Sequence, residues 1–314
     1  MAVSAGTAIA HAPPNIAPMS SSQAPNPETQ HATMDFLFAP SPAVAGCLQH
    51  GMVKALPGGG YVLPAGMHPL ILVILRGEIR VCRPGGTQPM ARISLCGGTR
   101  ESLRAWAAPG TRILTLAVKP GQLRRIVDFP ALTIMDSWAD FDDFLTGQER
   151  GEAARCQARL AETDDTAGQV QAVMALLSML HQGRAGGKAD IVLPPDGFSL
   201  PPEALAARFG LSLRQFERRF RASYGQSLRS LRQQLRCSQL MRFVAGRPSG
   251  AGTWADVAAR FGYCDQSHLI HDVLRFTGYT PGQLAAGVAS DDPAFWPYRV
   301  APHHMTHLFG PSGY

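Results

Sequence analysis

Short apolar runs separated by Gly and Pro dominate the chain between residues 34 and 128. Segments such as YVLPAG, LILVILRGEIRVCRPGG, ARISLCGG and RILTLAVKPG alternate hydrophobic stretches with turn-forming residues. Runs of this length, several of them closed by Pro-Gly or Gly-Gly pairs, are typical of β-hairpins. The pattern predicts a compact β domain over residues 34–128, a small barrel or sandwich that could hold a small ligand.

From residue 129 to 181 the spacing of apolar residues becomes helical. The recurring positions, three or four residues apart, are Leu160, Val170, Val173, Leu176, Leu177 and Leu180. These helices either pack on the β domain or pair two subunits. Residues 182–197 (QGRAGGKADIVLPPDG) have the composition of a linker, and we place a domain boundary there. Residues 1–33 lack apolar periodicity and are predicted to be a disordered tail, and residues 290–314 a C-terminal tail.

An internal repeat organises residues 198–289, because the pentapeptide AARFG recurs fifty-two residues later. In each copy a short helix, PEALAARF or TWADVAARF, leads through a Gly into a second helix. Ser212 and Asp265 are the predicted N-caps of these second helices, and Gly225 and Gly278 end them. Each copy is therefore a predicted helix-turn-helix. Between them, SLRSLRQQLRCSQLMRFV is predicted to be a long connecting helix with Leu on its apolar positions.

Helical periodicity assigns an inward and an outward face to each second helix. Leu213, Phe216 and Phe220 are expected in the core of the first copy, and Leu269 and Val273 in the core of the second. These apolar residues are therefore better interpreted as core than as platforms for stacked bases, which makes RNA a secondary candidate. On or beside the outward faces lie Arg214, Gln215, Arg218, Arg221, Gln266, Ser267, His268, His271 and Arg275. Arg and Gln are the side chains that pair bidentately with guanine and adenine in the major groove.

The charge of the chain is concentrated in the same region. Formal net charge is +6. Twelve arginines and five acidic residues between positions 201 and 290 give about +7, so the rest of the chain is near −1. The planar guanidinium of Arg suits phosphate and guanine, which indicates a nucleic-acid partner. The alternative interpretation of the charge alone is a solvated basic face.

The second copy, ARFGYCDQSHLIHDVLRFTGYTPGQL, resembles the signature of the AraC/XylS family of bacterial transcription regulators, with G-Y, S-H, an apolar pair and G-x-T-P. The resemblance covers residues 198–287 and implies two helix-turn-helix units joined by a long helix. Carried over by position, the base-contacting residues are Arg214, Glu217 and Arg218 in one recognition helix and Gln266, Ser267, His268 and His271 in the other. The chain departs from the family at Leu269 and Val273, where an aromatic residue is usual, and at His271, where Arg is common. These departures leave the base preference of the second helix open.

The resemblance implies a multidomain α+β protein, with a small cupin-like β-barrel and helices followed by an all-α double helix-turn-helix domain. It further implies a non-enzymatic, sequence-specific transcriptional regulator that inserts two recognition helices into successive major grooves of double-stranded DNA. RNA polymerase and a second copy of the chain are further candidate partners, and a small-molecule effector of unknown identity is a candidate ligand of the N-terminal domain. The alternative is a small-molecule or protein binding module with a nonspecific basic DNA anchor.

Other sites and compartments are less compatible with the sequence. The six cysteines form no CxxC pair, which favours a reducing cytoplasm and argues against the reactive cysteine of a DNA-repair methyltransferase at Cys47, Cys82 or Cys96. No Lys or Arg precedes Lys54, so a secretory signal is not expected. The longest apolar run has six residues, far short of the roughly 20 that a membrane helix needs.

Catalytic and metal motifs are equally weak. The β domain offers only His50 and His68 without an HxH pair, and neither GxSxG nor GxxxxGK[ST] occurs. The HHxxH sequence formed by His303, His304 and His307 is interpreted as an exposed tail that binds metal adventitiously. We therefore expect no resident metal or cofactor.

Overall fold

Ten strands of the N-terminal half form two antiparallel sheets in a computed structural model, which describes residues 35–83, 85–184, 191–194, 196–245 and 253–299. The strands are β1 (Phe36–Phe38), β2 (Leu48–Ala55), β3 (Gly59–Leu63), β4 (Leu70–Arg76), β5 (Ile79–Arg83), β6 (Gly86–Pro89), β7 (Ile93–Cys96), β8 (Leu103–Ala107), β9 (Arg112–Val118) and β10 (Trp138–Asp140). The larger sheet has the order β1-β2-β9-β4-β7-β10, and the smaller has the order β3-β8-β5-β6. The strands of the described ranges thus form two open sheets, each with two edges, and no closed barrel.

The position of β4 in the larger sheet explains why its sequence is continuously apolar and does not alternate between apolar and polar residues. It lies inside the larger sheet between β9 and β7, with Ile71 opposite both Leu116 and Leu95. Ile71 and Val73 point into the core that helices cover, whereas Leu72 and Ile74 point into the core shared with the smaller sheet. A strand that is buried on both faces needs apolar side chains at every position.

Three α-helices of the described residues belong to this half: α1 (Ala131–Ile134), which precedes β10, and α2 (Gly147–Glu162) and α3 (Thr166–Gly183), which follow it. Thr146 begins α2 with a capping box, and Asp165 caps α3 through the amides of Ala167 and Gly168. The predicted apolar stripe is buried in the same core as the strands, at Leu160, Val173, Leu176, Leu177 and Leu180. Of the two roles left open for these helices, the structure shows packing on the β-sheet.

Six α-helices lie in the described residues of the C-terminal half: α4 (Pro202–Arg208), α5 (Leu213–Tyr224), α6 (Leu228–Ala245), α7 (Trp254–Arg260), α8 (Gln266–Thr277) and α9 (Pro281–Ala289). They enclose two separate cores. Helix α6 contributes Leu228, Leu231 and Leu235 to the first core and Leu240 to the second, so the predicted connecting helix joins the two units by belonging to both. The multidomain α+β fold class is confirmed.

Several segments depart from the simple picture of linkers and tails. Ile191 and Leu193, within the predicted linker, are buried in the first helical core. A 3-10 helix, Pro293–Tyr298, lies in the predicted C-terminal tail and buries Tyr298. Residues 1–34, 185–190 and 300–314, including the three histidines of HHxxH, lie outside the described residues. In the part of the chain that the structure describes, no helix has the length and apolar character needed to cross a bilayer.

Candidate nucleic-acid interface

Local interactions fix both ends of α5. The Ser212 hydroxyl accepts from the Gln215 amide at 3.3 Å, and the Gln215 side chain accepts from the Ser212 amide at 3.0 Å. Gly225 ends the helix in the left-handed conformation at φ 76°. The predicted caps are confirmed. The side-chain oxygen of Gln215 accepts a hydrogen bond within the capping box, so this residue has a structural role.

The inward face of α5 is an aromatic stack. Phe216 and Phe220 are buried, and the Phe220 ring lies parallel to that of Tyr224 with 4.2 Å between centroids. The prediction that Leu213 belongs to this core is wrong, because its side chain is 37% exposed. Leu213 is the first residue of α5, one turn before Phe216, and it is not among the residues that form the first core or pack against it. Helical periodicity predicts which side of a helix faces inward. It does not predict how far along the helix the neighbouring core extends.

The outward face of α5 is cationic. Arg214, Glu217, Arg218 and Arg221 are all exposed, as are Arg219 and the neighbouring Arg229 of α6. A groove of about 570 Å³ runs along this face, and its wall includes Arg214, Arg218, Arg221 and Arg229 together with Leu132 of α1. Arg232 also lines the groove, but its guanidinium donates to the carbonyls of Phe198 and Leu200 and so holds the chain before α4.

Helix α8 repeats the frame of α5. The Asp265 carboxylate accepts from the His268 amide at 2.7 Å, and Gly278 ends the helix at φ 73°. Leu269 and Val273 are fully buried, as predicted, so these aliphatic residues fill the core where the AraC/XylS pattern usually has aromatic ones. Gln266, Ser267 and His271 are exposed on the outward side.

His268 and Arg275 lie beside the carboxylate of Asp272, which was not among the predicted site residues. Asp272 is buried, and both of its oxygens accept from the Gln233 side chain, at 2.9 and 3.0 Å. The His268 imidazole lies 3.9 Å from Asp272, and the Arg275 guanidinium lies 3.5 Å from it. The signal was present in the sequence, since both residues stand one helical turn from Asp272. These two predicted site residues are therefore partly held within the domain, unlike Gln266 and His271.

Alignment of the two recognition helices by their caps reveals a difference in charge. Ser267 stands where α5 has Arg214, His271 where it has Arg218, and Leu274 where it has Arg221. The equivalent outward positions are therefore cationic on α5 and carry no permanent charge on α8. Interaction with phosphate is expected to be concentrated at α5.

Three chemically reactive side chains of the β domain, those of His68, Cys47 and Cys96, are packed within the protein. His68 has its Nδ1 3.3 Å from the Val118 carbonyl, and burial lowers the pKa of this imidazole to about 4. Burial raises the pKa of Cys47 to about 11 and that of Cys96 to about 12, so both remain thiols at neutral pH. Within the described ranges, no three His, Cys, Asp or Glu side chains are grouped closely enough to hold a metal ion.

Comparison with known proteins places the interface in a family. Residues 205–287 match the model of a family described as a helix-turn-helix domain, which spans α4 to α9. No curated protein matches the chain as a relative.

Three solved structures share a loose likeness with the chain. An apo variant of ToxT from Vibrio cholerae is 10% identical, covers 76% of this chain and 98% of its own, and has a TM-score of 0.39. Unsaturated fatty acid-bound ToxT from the same species is 12% identical over 77% and 97%, with a TM-score of 0.36. The AraC-like transcriptional activator CuxR is 12% identical over 59% and 75%, with a TM-score of 0.28. Likenesses this distant carry no functional inference.

The family match supports a functional proposal, because the matched residues include both capped units and the helix that joins them. The GYCDQSH and GYTPGQL segments, which carry the signature of the second copy, lie around α8 at the centre of the second unit. Residues 205–287 of this chain match the helix-turn-helix domain family, and they contain the segment whose sequence resembles the AraC/XylS signature.

Proposed function

We propose that this protein is a sequence-specific transcriptional regulator that binds double-stranded DNA through α5 and α8, one in each of two successive major grooves. The observation that carries the proposal is the arrangement of the two capped helices, which bury their apolar faces and leave Arg214, Arg218, Gln266 and His271 exposed. The major groove admits one α-helix and presents hydrogen-bonding edges that these side chains can read.

The two classes of contact fall on different residues. Arg214 and Arg218 are proposed to discriminate bases in one groove, and Gln266 and His271 in the next. Arg219, Arg221, Arg229 and Arg275 are proposed to bind phosphate and to position the protein without reading sequence. His271 offers a single hydrogen bond where Arg would offer a fork, so we expect weaker discrimination by α8.

The N-terminal domain is proposed to be the regulatory half. Its two sheets enclose an apolar core, and a small molecule or protein partner acting there would control the DNA-binding half. We further propose that the protein acts in the cytoplasm with RNA polymerase, with a second copy of the chain as a candidate partner.

This function is tested by selecting binding sites from a randomised duplex pool with the full-length chain at two salt concentrations. The selected duplexes are then sequenced. We expect an enriched site that contains two short sequence elements about one turn of the DNA helix apart. The protein should bind this site at least about a thousandfold more tightly than random duplex. Binding that is tight and salt-sensitive but enriches no sequence would contradict the proposal. That outcome would instead support the alternative of a nonspecific anchor attached to a binding module.

A further inference from the structure

Both recognition helices end against the β domain. At α8, the Ala65 amide donates to the Phe276 carbonyl at 2.7 Å, and the Ser102 amide donates to the Arg275 carbonyl at 3.0 Å. The last carbonyls of a helix have no partner within the helix and need donors from elsewhere. Here the donors are backbone amides at the end of β3 and just before β8.

The two glycines that end these helices are packed against the same domain. A Cβ on Gly278 would lie 2.9 Å from Val62 Cγ1 and 3.1 Å from Ser102 Oγ. A Cβ on Gly225 would lie 2.9 Å from Met135 Sδ and 3.2 Å from the Ala131 carbonyl oxygen.

The glycines of the two turns provide an internal comparison. Gly210 and Gly262 have nearly the same backbone angle, at φ 65° and 69°, but a Cβ there would meet nothing within 4 Å. Close packing is therefore specific to the ends of the recognition helices and is not a general property of left-handed glycines in this domain.

A buried chain of amides makes a third connection. Ser230 donates to the Gln226 side chain at 2.6 Å, Gln226 donates to the Gln234 side chain at 2.5 Å, and Gln234 donates to the Thr99 carbonyl at 2.6 Å. Gln226 and Gln234 are each only 4% exposed. A buried polar chain is stable only when every member has its partner, so the contact with Thr99 is part of what holds α6 in place.

These contacts, which we call the seam, comprise Val62, Ala65, Thr99 and Ser102 of the β domain, Ala131 and Met135 at the two ends of α1, and the helical residues Gly225, Gln234, Arg275, Phe276 and Gly278. The seam lies at the C-terminal ends of α5 and α8 and at Gln234 of α6, and it leaves the outward side chains of α5 and α8, including Arg218 and His271, exposed. It therefore does not cover the faces that would read DNA.

We propose that the β domain, through the seam, holds the two recognition helices at a fixed separation and so determines which spacing between two DNA elements the full chain reads. This inference rests on the proposed function. It assigns Gln234 and the Ala65 and Ser102 amides a positioning role in specificity, although none of them touches DNA.

The first test measures spacing preference with the site obtained by selection. Affinities are compared for that site and for versions with one base pair added or removed between the two elements. Wild-type protein is expected to lose at least about tenfold on the altered sites. Gln234→Ala and Gly278→Ala are expected to reduce that loss to below about threefold.

Two matched variants serve as controls. Gln169→Ala removes a side chain that is 2% exposed and donates to the carbonyls of Leu160 and Thr163, away from the seam. Gly262→Ala introduces the same backbone strain as Gly278→Ala in open space. Both are expected to keep the wild-type spacing ratio even where they lower the melting temperature. Seam variants that keep the wild-type ratio would overturn the inference, as would seam variants that bind every spacing more tightly by the same factor.

The second test needs no DNA. Spin labels are attached through Ala207→Cys and Ala259→Cys, exposed and equivalent positions on α4 and α7, in a full-length background carrying Cys82→Ser and Cys264→Ser. The distance distribution between the labels is expected to be narrow, to broaden with Gln234→Ala and Gly278→Ala, and to stay narrow with Gln169→Ala and Gly262→Ala. Unchanged distributions in the seam variants would overturn the inference even if the selection experiment had succeeded. A failed selection with the expected broadening would instead count against the proposed function.

Discussion

Two helices that are capped and buried at equivalent positions present different side chains to the outside. On α5 the exposed residues are mainly arginines, whereas the equivalent positions of α8 hold Ser267, His271 and Leu274. Arg218 stands in the middle of the outward face, and Arg221 lies one turn nearer the C-terminus. We therefore propose that Arg218 discriminates bases and that Arg221 supplies affinity through phosphate.

Arg218→Ala is expected to relax base preference at one position of the selected site, at a cost of about 1 to 3 kcal/mol on the matched sequence. Arg221→Ala is expected to weaken binding to all sequences alike and to reduce the salt slope by about 1, because it removes a phosphate contact. Equilibrium binding to matched and mismatched duplexes over a range of salt concentrations measures both effects. Equal losses on matched and mismatched duplexes for Arg218→Ala would reverse the assignment.

His68 gives stability a dependence on pH. Burial lowers its pKa to about 4 in the folded protein, whereas the unfolded chain titrates near the usual value of 6.5. Between these values the unfolded state binds more protons, so the free energy of unfolding falls as the pH drops from 6.5 to 4, by up to about 1.4 kcal/mol per pH unit.

Denaturant titrations between pH 4.5 and 7.5 measure this slope. His68→Gln, which cannot titrate, is expected to flatten it across that window. A variant with the wild-type slope would exclude His68 as the cause.

Among the secondary-structure elements, α6 connects the two units of the helical half, because it contributes to both of their cores. Its first half supplies leucines to the core of α4 and α5, and its second half supplies Leu240 and Val244 to the core of α7, α8 and α9. A rigid helix that belongs to both cores transmits the orientation of one unit to the other. The groove beside α5 also depends on α6, which contributes Arg229 to its wall.

Leu240→Ala is expected to destabilise the second unit by about 2 to 5 kcal/mol, since it leaves a cavity at a fully buried position. Hydrogen exchange followed by mass spectrometry is expected to show faster exchange in α7 and α8 and little change in α4 and α5. Leu231→Ala, in the first core, is the matched variant and is expected to give the reverse pattern. Equal loosening of both units in either variant would mean that they unfold as one.

At the scale of the whole molecule, the N-terminal and C-terminal halves share an extensive boundary. Besides the seam, the 3-10 helix near the end of the described chain packs Trp296 against Tyr61 of β3, with 5.7 Å between ring centroids in an edge-on arrangement. Trp296 also joins the core between the two sheets. The segment after α9 therefore ties the helical half back to the β domain.

Trp296→Ala is expected to release this segment, because it removes a large aromatic contact that is worth about 3 to 5 kcal/mol when fully buried and less at this half-buried site. Limited proteolysis is expected to cut the variant faster between α9 and the C-terminus, and the melting temperature should fall. Trp106→Ala is the control, since Trp106 on β8 is already 37% exposed. Unchanged cleavage in Trp296→Ala would show that the segment is held by other contacts.

Local chemistry was enough to predict the helical half from the sequence. The repeated AARFG, the caps at Ser212 and Asp265, and the glycines at 225 and 278 act over one or two turns, so their consequences are visible in the sequence. The same holds for the inward positions of Phe216, Phe220, Leu269 and Val273, and for the exposure of most candidate DNA-contacting residues.

The remaining features depend on which surfaces meet in the folded protein, so no local pattern in the sequence shows them. Leu213 is exposed because the first core does not cover it, and Asp272 accepts from Gln233 because α6 packs beside α8. The sequence predicts β-strands but not their division into two open sheets, since strand pairing joins distant segments. The seam was invisible for the same reason: backbone amides at Ala65 and Ser102 carry no residue-specific signal, and their partners lie more than 170 residues further along the chain.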